Sequence, residues 1–207
     1  MKKKSDIKDK ILEKLLEIAA FEGWNEDSLN NAASRLKIKQ SAALAAFPDG
    51  ISDAVDYLSE KTNAEMEKRI SKTKFSKLRI RDKIATLVFT HLEIHANHKE
   101  AMRKLLGYYL HPAHSYQGLR HLSKTVSKMW YMAGDTSADF NFYTKRILLA
   151  GVFTSTAIYW LNDSSKNNEN TQKFLARRIE EVMKIQKYKA TARKLIDQIP
   201  FIRKVFS

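Results

Sequence analysis

The sequence predicts an all-α protein, and three observations carry that prediction. Only six Gly and three Pro punctuate 207 residues, too few for the many tight turns of an all-β chain. Ala, Leu, Lys, Glu and Ile are abundant, a bias toward long helices. Apolar residues also recur at spacings of three and four through nearly every segment. A chain of this length can bury one sizeable core.

Segment 7–22 carries Ile7, Ile11, Leu15, Ile18 and Ala19 on one helical face and stops at Gly23, a helix closed by glycine. Ser28–Leu36 and Gln40–Phe47 read as two short helices joined near Lys37–Lys39 and closed by Pro48, Asp49 and Gly50. Helical periodicity returns over Ile51–Arg69, Leu78–His95 and Glu100–Leu110, after which Pro112 is expected to open a loop. A further helix runs from Gln117 to Met132 and breaks at Gly134-Asp135. Thr136 with Asp139 three residues on reads as a capping box for the next helix. That helix is so apolar from Ile147 to Leu161 that it is expected at the centre of the core, and Thr154, Ser155 and Thr156 make it a poor membrane span. Asn162–Asn170 reads as a polar loop, Thr171–Gln186 as an amphipathic helix, and Lys187–Lys189 as a basic linker to a terminal helix.

The first three helices form a helix-turn-helix pattern, and residues 7–50 resemble the N-terminal domain of TetR-type regulators. The expected organisation is therefore TetR-like: a helix-turn-helix module over 1–50, a helical ligand-binding domain over 51–186, and a basic linker with an amphipathic membrane helix over 187–207. DNA binding is the competing reading. The stretch in the recognition position, Gln40-Ser-Ala-Ala-Leu-Ala-Ala-Phe47, contains no Lys or Arg. Phosphate contacts normally supply most of the affinity, so no nucleic-acid partner is expected.

A formal net charge of +14 calls for an anionic partner. Eleven Lys and Arg against four Asp and Glu lie between Lys166 and Ser207, which places much of that charge at the C-terminal end. There Tyr188, Ala192, Leu195, Ile199, Ile202 and Phe206 form one stripe widened by Ile196 and Phe201. Lys194 and Arg203 are among the cations at its margins. Such a helix can lie at a headgroup boundary or pack on the protein's own core or across a dimer. Pro200 bends it and argues against tight packing. The expected membrane-binding residues are Lys194, Leu195, Ile199, Phe201, Ile202, Arg203 and Phe206.

No catalytic signature is present: no Gly-rich phosphate loop, no Gly-x-Ser-x-Gly elbow and no zinc-hydrolase motif. The absence of Cys removes disulfides and thiolate chemistry and suits a reducing compartment. His91, His95 and His98 fall at i, i+4 and i+7 and could hold zinc, although a polar surface is the expected reading. Neither a catalytic residue, a metal nor a cofactor is expected.

The run Met129-Trp-Tyr-Met-Ala-Gly-Asp-Thr-Ser-Ala-Asp-Phe-Asn-Phe-Tyr-Thr-Lys-Arg146, continued by Trp160-Leu-Asn-Asp-Ser-Ser165, resembles the ubiquinone biosynthesis accessory family called Coq nine. That family shows Met-Trp, Ala-Gly-Asp, Ser-x-Asp-Phe-Asn, Tyr-Thr-x-Arg and Asp-Ser-Ser at this spacing. The resemblance implies a TetR-like fold, a hydrophobic pocket for an isoprenoid quinone or other lipid, and a membrane surface met by the terminal helix. It also implies a partner enzyme, a di-iron demethoxyubiquinone hydroxylase, to which the lipid is presented. The family's partner patch maps onto Asp139, Phe142 and Tyr143, with Phe142 where relatives commonly have Trp. Arg146 shares that helical face. Trp130, Ile147, Leu148, Val152 and Phe153 are the expected pocket lining. A homodimer is the expected assembly. The start of the chain shows neither an apolar signal core nor an Arg-rich transit peptide. That start points to a cytoplasmic protein peripheral on the inner face of a bacterial inner membrane.

Overall fold

The computed structural model describes residues 2–70, 75–135 and 140–197, with side chains described over 6–70, 75–135 and 142–184. Among the described residues the helices are α1 (Lys2–Glu22), α2 (Glu26–Arg35), α3 (Gln40–Ala46), α4 (Ile51–Ile70), α5 (Ile80–Glu93), α6 (Lys99–Leu110), α7 (Pro112–Ala133), α8 (Phe140–Leu161) and α9 (Glu169–Asp197), with no strand. Local chemistry sets several boundaries. The Asn25 side chain caps α2 by accepting from the Ser28 amide at 2.9 Å, and Glu26 and Asp27 in the first turn suit the positive end of the helix. Gly134 ends α7 with a left-handed φ of 93°, donating its amide back to the last turn.

Two apolar clusters make the core. The first joins α1, α2, α3 and the start of α4 to Ala101, Leu105 and Tyr108 of α6. Trp24 sits in it and donates from Nε1 to the Ala101 carbonyl at 2.9 Å. The N-terminal module is therefore welded to α6, and the core runs unbroken past residue 50. The second cluster gathers Met66 and Ile70 of α4, Leu87 and Val88 of α5, Val126 and Met129 of α7, Leu149, Val152 and Trp160 of α8, and Leu175 of α9.

Four expectations need correction. Pro112 opens no loop: it is the first residue of α7, where its fixed φ and missing N–H fit. Lys187–Lys189 is no linker, because α9 continues through it; the stretch lacks Gly and Pro and has nothing to stop a helix. Helix α8 is not the centre of the core. It buries Leu149, Val152, Thr156 and Trp160 on one side and leaves Tyr143, Ile147 and Ile158 exposed on the other. The three histidines do not share a helical face, because α5 ends at Glu93 and a 3-10 turn, Ala96–His98, intervenes. No helix among the described residues is long and apolar enough to cross a membrane.

Candidate lipid-binding cavity

A cavity of about 470 Å³ opens between α4, α5, α6, α7 and α8, within the roughly 300–1,000 Å³ usual for a small-ligand site. Leu58 and Thr62 of α4, Leu92 of α5, Leu105, Leu106 and Tyr109 of α6, Leu122 and Thr125 of α7, and Phe153, Ala157 and Trp160 of α8 supply much of its wall. Gly118 lets α6 and α7 approach, since a Cβ there would come within 2.9 Å of the Tyr109 side chain. No Lys, Arg, Asp or Glu lies among the lining residues.

The polar groups of the wall are held neutral. Burial, with a smaller contribution from the positive charge His95 would carry, pushes His91 down to about 3. Burial again dominates at His95, with His98 and Arg69 adding to it, and its value falls to about 4. Thr62 donates its one hydroxyl proton to the Leu58 carbonyl at 2.7 Å. The 2.8 Å contact between Thr62 Oγ1 and His95 Nε2 must therefore run from a protonated Nε2 to the hydroxyl oxygen. His121 is likewise depressed by burial, against the pull of Asp56. Its Nε2 donates to Asp56 Oδ1 at 2.8 Å, leaving Nδ1 to accept from the Tyr109 hydroxyl, also at 2.8 Å. Gln117 donates to the same Oδ1, and Arg120 donates to Oδ2 on the other side of Asp56. This relay staples α4, α6 and α7 behind the cavity. Tyr109 is raised above its ordinary value by burial and by Tyr108, which keeps its hydroxyl protonated. Two buried wall nitrogens, His91 Nδ1 and Trp160 Nε1, have no hydrogen-bond partner among the described residues. No group of His, Asp and Glu suited to a metal occurs among the described residues.

A second, smaller cavity of about 290 Å³ lies between α5, α7, α8 and α9, and its lining includes Arg81 and Lys145. The expected pocket residues divide between the two. Phe153 lines the large cavity, Trp130, Leu148 and Val152 line the small one, and Ile147 lines neither and is exposed. Periodicity did not reveal that the large cavity draws most of its wall from residues 58–125. The available signal was polar residues, Thr62, His91, His95, His121 and Thr125, set among apolar neighbours on helices.

Beside the small cavity the signature run becomes a structural lock. Asp135, its side chain 4% exposed, receives Lys145 at 2.7 Å and Arg146 at 3.3 Å. Trp130 donates from Nε1 to the Lys145 carbonyl at 3.0 Å. The Arg146 guanidinium lies 3.3 Å above the Phe142 ring and also donates to the Phe142 carbonyl and Ser127. Phe142 in turn meets Tyr143 edge to face at 5.2 Å. Of the expected partner patch, Tyr143 is presented to solvent and Arg146 turns inward to Asp135. Asp139 lies outside the described residues. At the other end of the run, burial works against ionisation of Asp163. Hydrogen bonds from the Thr171 side chain, from Ser165 and from the Thr171 amide overrule it, holding that carboxyl below its usual range and locking the α8–α9 connection. Ile199, Phe201, Ile202, Arg203 and Phe206 lie outside the described residues. Lys194 and Leu195 fall within the backbone of α9, beyond the described side chains.

Helices stacked behind an N-terminal helix-turn-helix module, with a cavity in the larger body, define the class: an all-α protein of TetR-like fold. A solved structure of a TetR transcriptional regulator from Nitrosomonas europaea superposes with a TM-score of 0.72 at 21% identity, covering 85% of this chain and 97% of that one. By sequence the chain is similar to the COQ9 family, whose family model matches residues 116–186. It is 33% identical over 184 residues to ubiquinone biosynthesis protein COQ9-B, mitochondrial, from Xenopus laevis, covering 86% of this chain and 62% of that protein. The corresponding protein of Homo sapiens is 26% identical over 183 residues. The probable coq9 protein of Dictyostelium discoideum is 24% identical over 194 residues. The chain thus spans about six tenths of the length of the frog and slime-mould relatives.

Proposed function

We propose that this protein is a non-catalytic lipid carrier of ubiquinone biosynthesis, which draws an isoprenoid quinone intermediate from the membrane and presents it to a demethoxyubiquinone hydroxylase. The observation that carries this reading is a 470 Å³ apolar cavity with no charged side chain in its lining, in a chain related to the COQ9 proteins. An anionic lipid head would find no cation there, and burying it unpaired is costly. A neutral ring with a prenyl tail carries no such cost. The chemistry belongs to the partner enzyme, for which Tyr143, with Phe142 and Asp139, forms the docking patch, and Arg146 supports that patch from the inner side.

The amphipathic stripe from Lys194 to Phe206 holds the carrier, as a homodimer, on the inner face of a bacterial membrane. Native mass spectrometry after incubation with quinone-loaded vesicles tests this reading. One quinone per chain is expected, and protein that stays empty contradicts it. A second reading, a DNA-binding regulator, draws on the superposition with the TetR structure. Selection from random duplex DNA should enrich a palindrome if that reading holds. The absence of a cation from α3, Gln40–Ala46, predicts flat recovery.

A further inference from the structure

We propose that the rim of the large cavity is a membrane-contact surface in its own right, one that seats the α6–α7 corner on an anionic bilayer. A neutral lipid then enters the cavity without crossing water. The inference rests on the reading that the cavity holds a lipid. Leu110, Leu119 and Ile158 line the cavity, yet they are 74%, 65% and 47% exposed, and Tyr116 beside them is 78% exposed. An open apolar rim of this kind, continuous with an apolar interior, forfeits hydrophobic burial unless something covers it.

Charge identifies what covers it. From His98 to Ala133 there are six Lys and Arg and a single acid, Glu100. Lys104 and Lys124 stand on the exposed sides of α6 and α7 and enter no ion pair among the described residues. An apolar rim flanked by cations matches an anionic leaflet, whose negative surface attracts each of them. A tyrosine at the rim suits the headgroup level, where one end of the ring is apolar and the other wet. The cavity is also too small for a long polyprenyl tail, so a bound lipid keeps its tail in the leaflet only if the mouth faces the bilayer.

The test uses the full chain and vesicles of phosphatidylcholine and phosphatidylglycerol carrying a long-chain quinone. A Lys104→Glu/Tyr116→Ser/Lys124→Glu variant, none of whose positions lines the cavity, should take quinone from vesicles at least roughly tenfold more slowly, the factor that 1.4 kcal/mol of lost adsorption gives. It should bind a water-soluble short-chain quinone as the parent does. Transfer at the parental rate overturns the proposal. So does an unchanged vesicle adsorption accompanied by a change in oligomeric mass, which would make a second copy the occupant. The sequence contains no Cys, so a fluorophore on Tyr116→Cys reports the rim alone, with Lys68→Cys as the control. A blue shift on adding vesicles at Tyr116→Cys only is expected, and equal responses at both sites overturn the proposal. If the parent binds no short-chain quinone, the lipid-carrier reading fails while this label still judges the rim.

Discussion

The two cavities share α5, α7 and α8 but differ in charge. The large one is lined by neutral side chains only, with His91 and His95 held uncharged by burial. The small one has Arg81 and Lys145 in its lining, and Lys145 belongs to the Asp135 lock. The contrast separates recognition from support: the neutral cavity suits a neutral guest, whereas the charged one adjoins the joint that fixes α7 against α8.

The largest effect is expected at that joint. Asp135→Ala removes a buried carboxylate shared by two cations. It should lower unfolding free energy by about 3 kcal/mol, read from a urea melt. Filling the cavities comes next. Ala157→Trp, in the wall of the large one, should weaken quinone binding by at least roughly thirtyfold, or about 2 kcal/mol. Leu148→Trp, in the small one, should change it by less than about twofold, as followed by fluorescence titration. Equal losses from both would erase the distinction.

Acid should expose the neutral wall. The unfolded chain protonates its histidines near 6.5, whereas folded His91 resists protonation down to about 3. Between those values the unfolded state holds more protons, so stability falls as pH drops, by about 1.4 kcal/mol for each unit from this group. Lowering the pH from 6.5 to 5 should cost about 1.5 kcal/mol through His91 and a similar amount through His95, and His91→Phe should remove about half of that slope. The smallest effect is at Gly118→Ala. Its added methyl meets Tyr109 and should destabilise the fold by about 1 kcal/mol while loosening the Tyr109–His121 contact.

Much of the fold was legible because period and punctuation act locally. Gly23 and Gly134, each with a positive φ, close the helices before them, and apolar spacing places the helix faces. What escaped depends on which helices meet. Nothing local distinguishes Ile147, on the exposed side of α8, from Leu149 two residues on, which is buried. Pro112 carries the same local signal whether it opens a loop or a helix. The signature run was visible as a pattern, but its logic became physical only when Asp135 and Arg146, eleven residues apart, proved to be two ends of one ion pair. Conversely, Asp56, Tyr109 and His121 form a relay across three helices and leave no contiguous motif at all.

The central claim, a cavity selective for a neutral lipid, is tested most directly by competition. The full chain is offered a prenylated quinone and a carboxylic acid with the same tail, and the bound species is weighed by native mass spectrometry. The account predicts one quinone per chain, little of the acid, and neither in Ala157→Trp. Preferential capture of the acid, or binding that survives Ala157→Trp, would contradict it.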